Sequence, residues 1–130
     1  MNTYESFKDK KLELKKKGQF NYAQWAEVWK EVLAVDSDAT YHVHESEKGK
    51  PVIQINQSCM VKVSITIKDV TKTEWLPVLN NSNKPILVEL LNVFDVNTTI
   101  KRCLVKCAAL FGLGLQVFID GNNPEDEEAK

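Results

Sequence analysis

Residues 61–67 read VKVSITI and decide the fold of this chain, because they alternate between branched aliphatic and polar residues. In an extended chain the two sets point to opposite faces, Val61, Val63, Ile65 and Ile67 to one and Lys62, Ser64, Thr66 and Lys68 to the other. An antiparallel strand with one face on a core and the other in water has this period of two. The stretch therefore predicts a half-buried strand whose outer face is polar and partly basic.

Shorter segments on either side predict the neighbouring strands. Thr71–Leu76 is expected to return as the hairpin partner after a turn at 68–70, and Pro77 ends it. Upstream, Thr40–His44 alternates and Val52–Ile55 resumes an extended pattern. We therefore expect an antiparallel sheet of three to five strands.

A first amphipathic helix is predicted from Asn21, which acts as the N-cap, to Ala34. Its apolar face comprises Tyr22, Trp25, Trp29, Val32 and Leu33. The two tryptophans either anchor this helix to the sheet, or one of them forms a subunit contact or a platform for base stacking.

A second helix is predicted over 95–112, with Asp95 or Asn97 as its cap. Its apolar face comprises Val96, Ile100, Cys103, Leu104, Cys107, Leu110 and Phe111. Gly112 suits the left-handed position that follows a helix. A short apolar strand is expected next, at Leu115–Ile119.

The order of elements predicts an α+β fold, in which the antiparallel sheet packs on the long C-terminal helix and the tryptophan-rich helix is N-terminal. We expect a basic N-terminal segment, 1–20, then a single α+β domain, 21–119, and an acidic, disordered tail, 120–130. The lysine-rich first segment is either a frayed helix or a mobile basic arm.

Composition restricts the class of protein. A chain of 130 residues with 43% hydrophobic residues suits one globular domain. Three cysteines, an odd number, and the lack of an apolar run for a membrane span or a signal peptide favour a reduced, cytosolic protein. The net charge of −1 conceals an asymmetry, because without residues 120–130 the chain carries 16 basic and 13 acidic residues. The body is thus weakly cationic and suits a polyanionic partner.

The sequence offers little for catalysis. His42 and His44 share a strand face, but a metal site needs a third ligand. Cys103 and Cys107, four apart on an apolar helix face, are typical of small core residues rather than of zinc ligands or a redox pair. No phosphate-binding glycine loop and no nucleophile elbow is present. We predict no enzymatic activity, cofactor or metal. Metal-dependent nuclease chemistry at the two histidines is a further hypothesis, beside the two given below.

Cations on the ordered elements favour a polyanion as partner. Three of them lie beside the apolar face of the second helix, whose only acid is Asp95. A helix that merely covers a core usually carries both signs of charge. The candidates for DNA contact are Lys101, Arg102 and Lys106 on the helix, with Lys62 and Lys68 on the strand as secondary candidates. Such a surface binds phosphates with little base selectivity.

The stretch 95–115, DVNTTIKRCLVKCAALFGLGL, continuing to Ile119, resembles the C-terminal signature of phage single-strand annealing proteins, in particular the Sak-type branch of the Erf/RecT-like superfamily. Three earlier segments agree in order: YAQWAEVW at 22–29, the strand at 61–67, and EWLPVL at 74–79 with NKPI at 83–86. The resemblance covers roughly residues 4–127.

The resemblance implies a relative of the eukaryotic ring-forming annealing protein, with a curved antiparallel sheet backed by a helix. It implies rings or filaments that bind single-stranded DNA along a positive groove and pair complementary strands without ATP, in phage recombination in the bacterial cytoplasm. The implied partners are single-stranded DNA, further copies of the chain, and a single-strand binding protein or an exonuclease. Annealing neutralises two polyanions and leaves base edges free, so it needs cations rather than catalytic groups.

A protein-interaction adaptor is the alternative from another class. The acidic tail, 120–130, would then recruit a replication or recombination partner. Deletion of the tail distinguishes the two: an adaptor loses its partner, whereas an annealing protein keeps or gains DNA affinity as repulsion is removed.

Overall fold

A computed structural model describes residues 3–17, 20–80, 82 and 84–120, which form four α-helices, six strands and one 3₁₀ turn. The helices are α1 (Thr3–Phe7), α2 (Trp25–Val35), α3 (Val93–Ala109) and α4 (Leu115–Ile119). The strands are β1 (Leu14–Lys17), β2 (Phe20–Ala23), β3 (Thr40–Val43), β4 (Ile53–Ile55), β5 (Ser58–Ile67) and β6 (Val70–Pro77). The 3₁₀ turn is Val88–Leu90.

The central strand of the main sheet is β5, which contains the alternating stretch. β6 pairs with it antiparallel from Met60↔Pro77 to Ile67↔Val70. The opposite edge of β5 pairs with β3 and with β4, both antiparallel. The predicted α+β class and the antiparallel sheet of three to five strands are confirmed, with four strands. A separate hairpin is formed by β1 and β2.

The inner face of β5 is the centre of the core. Its four aliphatic side chains, Val61, Val63, Ile65 and Ile67, are fully buried. α3 packs across β5 and β6 on this side. It contributes Cys103, Leu104, Cys107 and Ala108, all buried. The prediction that the long C-terminal helix backs the sheet is confirmed, because the period of two in the strand and the period of 3.6 in the helix present matching apolar faces.

The two helix cysteines belong to this core. The Cys103 thiol donates to the backbone oxygen of Glu74 at 3.4 Å, and the Cys107 thiol donates to that of Lys72 at 3.3 Å. Burial raises the pKa of Cys103 to about 12 and that of Cys107 to about 11. Both therefore stay protonated at neutral pH, as small core residues that fasten α3 to β6.

The hairpin between β5 and β6 turns at Lys68 and Asp69, whose φ angles are +48° and +68°. Two left-handed residues in a two-residue loop match the twist of an antiparallel hairpin. Lys68 is therefore part of the turn and does not continue the outer strand face. Its backbone N–H donates to the Asp36 carboxylate at 2.7 Å, just after α2.

The first predicted helix is shorter than expected and buries a different face. Asn21 lies in β2 and is not the N-cap; α2 begins at Trp25. Its buried residues are Val28 and Val32, whereas Leu33 is exposed. Because β2 pairs with β1, the residues predicted to form the first turn of this helix are in a strand instead.

The second predicted helix begins earlier than expected. Its cap is Asn92 rather than Asp95 or Asn97, and the Asn92 side-chain oxygen accepts from the Asp95 N–H at 2.9 Å. At the other end Leu110, predicted on the apolar face, lies past the last helical residue and is exposed.

The predicted strand at Leu115–Ile119 is wrong, because this segment is the single-turn helix α4. Gly112 and Gly114 precede it with φ of +108° and +73°, so Gly112 has the positive φ expected after the helix. A Cβ on Gly112 would lie 2.7 Å from Cδ1 and 3.3 Å from Cα of Tyr4. The missing side chain therefore lets α1 pack against the end of α3.

The described part of the basic N-terminal segment contains α1 and β1, and Phe7 of α1 is fully buried in the core. Of the acidic tail, only Asp120 lies within the described residues.

Candidate nucleic-acid interface

Lys101 lies at the seam between α2 and α3, where it contacts two aromatic rings. Its Nζ is 4.1 Å from the ring centroid of Trp25 and 5.9 Å from that of Tyr41. Both aromatic residues are 38% exposed. A cation at this distance is attracted to the ring face. We call Trp25, Tyr41 and Lys101 the seam cluster.

Packing fixes the position of the seam cluster. Trp29, one helical turn after Trp25, packs partly buried against the core and meets the Tyr41 ring edge-on at 5.2 Å. Tyr41 is on β3, opposite Ile65 of the buried face. Of the two tryptophans, Trp29 is therefore the anchor, and Trp25 keeps exposed ring surface beside a cation.

The other two helix cations lie on a different flank of α3. At about 100° per residue, Arg102 and Lys106 are within about 40° of each other, whereas Lys101 is about 100° from Arg102 and about 140° from Lys106. The guanidinium of Arg102 is partly buried, and this desolvation lowers its pKa. The charge of Lys106 acts on the nearby Cys103 thiol. The three predicted contacts thus do not form a single stripe.

A second cation lies over a tryptophan on the outer face of the sheet. The Nζ of Lys62 is 4.7 Å from the ring centroid of Trp75, its cross-strand partner on β6. His42 and His44 occupy the same face, with ring centroids 4.6 Å apart. We call His42, His44, Lys62 and Trp75 the outer-face cluster. Lys68, exposed in the hairpin turn, lies outside both clusters.

His44 is held by a chain of hydroxyl groups. Its Nε2 is 2.6 Å from Ser64 Oγ, which is 2.7 Å from Thr73 Oγ1. Desolvation lowers the pKa of His44, and the charges of Lys62 and His42 lower it further. His44 is therefore neutral at pH 7 and becomes a cation only in acid.

The outer face is free of carboxylates along three strands that lie wholly in the described part of the chain. By register, its residues are Thr40 and His42 on β3; Ser58, Met60, Lys62, Ser64 and Thr66 on β5; and Thr71, Thr73, Trp75 and Pro77 on β6. α3 and α2 lie on the other side of the sheet, so the two clusters face opposite directions.

Within the described ranges, no group of three or more histidine, cysteine, aspartate or glutamate side chains is placed to hold a metal ion. The two histidines thus have no third ligand among those residues. None of the helices described is long and apolar enough to cross a bilayer.

A family model described as Sak Single Strand Annealing Protein matches residues 5–130, nearly the whole chain. The chain belongs to the Sak single-strand annealing protein family. The resemblance seen in the sequence is thereby confirmed. No curated protein and no solved structure matched the chain.

The structure places two aromatic residues beside predicted cations, and sequence reasoning missed both. Trp75 and Tyr41 were not predicted as site residues, although each now lies beside a predicted cation. Trp75 follows Thr71 and Thr73 with a period of two, which places it on the polar face. For Tyr41 no sequence signal exists, because its cation is on a distant helix.

Proposed function

We propose that this Sak-family chain binds single-stranded DNA and anneals complementary strands in phage homologous recombination, without ATP and as an oligomer, in the bacterial cytoplasm. The family match over residues 5–130 is the observation that carries the proposal. The geometry supports it, because cations and exposed aromatic rings lie together on stable elements and no catalytic group is needed.

Lys101, Arg102 and Lys106 are the proposed primary phosphate contacts, with Lys62 and Lys68 secondary. Phosphate contacts hold a strand without reading its sequence, so base edges stay available for pairing. One subunit with a few such contacts binds weakly. Several copies on one strand bind tightly, because each later contact occurs at high effective concentration. Neither step consumes ATP.

The test measures salt-dependent binding and strand annealing with a triple variant, Lys101→Gln, Arg102→Gln and Lys106→Gln. Glutamine keeps most of each side chain and removes its charge. With a slope of about −0.7 per phosphate contact on single strands, loss of three contacts should flatten the plot of log K against log salt by about 2. Annealing of complementary oligonucleotides should fall with it, and circular dichroism checks that the variant keeps its fold, because Arg102 is partly buried and Lys101 contacts two aromatic rings.

A matched control removes three exposed lysines outside both clusters: Lys48→Gln, Lys50→Gln and Lys84→Gln. The change in net charge is the same, so the control should keep most of the slope. If the two triple variants bind alike, general charge rather than this site is responsible. If the first variant binds and anneals as the parent does, the proposed contacts are wrong.

A further inference from the structure

The cations of the proposed site do not by themselves distinguish a single strand from a duplex. Each phosphate contact contributes a salt slope of about −0.7 on single strands and about −0.9 on a duplex, because the duplex holds more condensed counterions. A site made only of Lys101, Arg102 and Lys106 would therefore bind a duplex at least as tightly as a single strand at low salt. A preference for single strands needs a group that contacts bases.

The seam cluster supplies two aromatic rings beside one of these cations. Trp25 is the first residue of α2, Tyr41 lies on β3, and each side chain is 38% exposed. The Nζ of Lys101 is 4.1 Å from the ring centroid of Trp25 and 5.9 Å from that of Tyr41, so that one cation contacts both rings. A face of the Trp25 ring is thus covered by the end of a long, flexible side chain.

The fold holds the two rings in place before a strand arrives. Trp29, one turn after Trp25, packs against the core and meets the Tyr41 ring edge-on, with the ring planes at 81°. Tyr41 is fixed in addition by the pairing of β3 with β5. A preformed aromatic surface costs little conformational entropy when a base binds to it.

Lys101 is available to a phosphate, because its contacts are with rings rather than with acids. The sequence has no aspartate or glutamate between positions 96 and 119. Among the residues that the structure describes, no carboxylate forms an ion pair with Lys101.

The magnitudes favour exchange of the lysine for a base on the Trp25 ring. An exposed cation over a ring contributes a factor of about 2 to 5 to an equilibrium constant. Stacking of one base on an aromatic side chain contributes a factor of about 5 to 150. The exchange is therefore favourable even before Lys101 gains its contact with a phosphate.

A duplex does not offer this exchange. Its bases are paired and stacked on each other, and presenting one of them to a side chain costs unpairing and unstacking energy. A single strand presents its bases without unpairing them. On a duplex the site would keep its phosphate contacts and lose the contribution of the rings.

We propose that Trp25 and Tyr41 make the site selective for single-stranded over double-stranded DNA. One base of the strand stacks on the Trp25 ring beside Tyr41, and Lys101 leaves the ring for a phosphate of the same strand. This rests on the proposed function, which supplies the DNA, and it adds the residues that choose between the two forms of that DNA. When two strands pair, the stacked base leaves the ring, so the duplex product is held by phosphate contacts alone.

The test measures the affinity of the parent and of Trp25→Leu, which keeps every cation, for three probes of equal length. The probes are a single strand of mixed sequence, the preformed duplex, and a single strand of abasic residues. Trp25→Leu should bind the first probe about 10-fold more weakly than the parent does. It should bind the duplex and the abasic strand as the parent does, within about twofold, because their contacts are to phosphates. Removal of the bases should therefore cost the parent about 10-fold more affinity than it costs the variant.

Two further variants serve as controls. Phe94→Leu removes an aromatic ring that is 73% exposed and lies outside both clusters, and it should match the parent on all three probes. Lys101→Gln should weaken binding to all three probes, because it removes a phosphate contact and leaves the Trp25 ring in place. Circular dichroism checks that each variant keeps its fold.

Three results would overturn the proposal. In the first, Trp25→Leu binds the mixed-sequence single strand as the parent does. In the second, it weakens binding to all three probes alike, which would make Trp25 a structural residue. In the third, Trp75→Leu removes the preference for single strands and Trp25→Leu does not, which would assign the selectivity to the outer-face cluster.

The behaviour of the parent separates this inference from the proposed function. A parent that binds and anneals single strands, together with a Trp25→Leu variant that keeps the same preference, overturns the selectivity and leaves annealing in place. A parent that has no affinity for any of the three probes overturns the proposed function, and the selectivity falls with it.

Discussion

Two lysine–tryptophan pairs lie on opposite sides of the sheet, and they are close to identical as pairs. Lys101 is 4.1 Å from the ring of Trp25 on the helix side, and Lys62 is 4.7 Å from the ring of Trp75 on the outer face. Each tryptophan is 38% exposed. A cation over a ring stabilises a surface modestly in either place, so the pair alone does not identify a binding site.

The surroundings distinguish the two pairs. Beside Lys101, a proposed phosphate contact, lies a second exposed ring, Tyr41, which packs edge-on against Trp29 and is of the kind on which a base could stack. Beside Lys62 lies His44, whose lowered pKa means that it adds charge only in acid. The comparison teaches that the seam cluster is suited to neutral pH, whereas the outer-face cluster becomes more cationic as the pH falls.

The largest expected effect comes from removing each lysine–tryptophan pair in a separate double variant. Trp25→Leu with Lys101→Gln should weaken binding of a single-stranded oligonucleotide about 10- to 100-fold at pH 7.5, because stacking of one base contributes about 1–3 kcal/mol and a phosphate contact is lost as well. The matched double variant, Trp75→Leu with Lys62→Gln, should weaken it about threefold or less. Fluorescence anisotropy measures both, and a reversed order would make the outer face the primary surface.

Substitution of Gly112 tests whether the comparison of the two lysine–tryptophan pairs depends on global stability, because it changes stability and leaves both pairs intact. Gly112→Ala should lower the free energy of unfolding by about 2 kcal/mol, because alanine at a φ of +108° is strained and its Cβ meets Tyr4. Gly49→Ala is the control, since Gly49 also has a positive φ, +75°, but open space around it. Urea denaturation should show a smaller loss of unfolding free energy for Gly49→Ala than for Gly112→Ala.

Binding measured well below the melting temperature should be unchanged in both glycine variants. A large loss of affinity in Gly112→Ala would show that the α1–α3 contact, rather than the local chemistry of the pairs, controls DNA binding.

The pH dependence separates the two faces further. The folded-state pKa of His44 lies below its ordinary value of 6.5, so the unfolded chain binds the proton first as the pH falls. The contribution of His44 to stability is therefore present above about pH 6.5 and is lost as the pH falls through this value towards the folded-state pKa. His44→Gln should lose less stability than the parent between pH 7.5 and pH 5.5 in thermal unfolding.

DNA binding should show the opposite sign, because a phosphate on the outer face favours the protonated form of His44. The variant lacking the seam pair should gain affinity on acidification, and the variant lacking the outer pair should gain less. Equal gains in affinity for the two variants would show that His44 does not contribute to the pH dependence of binding.

Local pattern predicted the sheet well but not which side chains surround the candidate site residues, for physical reasons. The alternation at 61–67 specifies both period and buried face, so β5 and its hairpin partner could be read directly. A five-residue, mostly apolar segment such as Leu115–Ile119 fits a strand or a helical turn equally. In the structure it follows the left-handed Gly114 and forms a helical turn. Asn21 suits a cap, but pairing with Lys16 in the β1–β2 hairpin places it in a strand.

The candidate site depended on tertiary packing even more. The excess of cations on the second helix identified Lys101 as a candidate. The ring that it contacts belongs to Trp25, 76 positions earlier on another helix, and no spacing rule links the two residues. The same holds for Asn92, whose capping role depended on where the 3₁₀ turn ended. By contrast, the prediction that Cys103 and Cys107 are core residues is confirmed. It depended only on the helical period, which places residues i and i+4 on the same apolar face.

The smallest expected effect concerns Lys68, the predicted contact that belongs to neither pair. Its φ of +48° is a conformation that glycine adopts at lower cost, so Lys68→Gly should leave stability unchanged or raise it by up to about 1 kcal/mol. The hydrogen bond to Asp36 uses the backbone N–H and survives the change. Loss of one exposed charge should flatten the salt slope by at most about 0.7. A larger change would mean that the hairpin turn contacts DNA more closely than either tryptophan does, and the comparison of the two faces would then have to include the edge of the sheet between them.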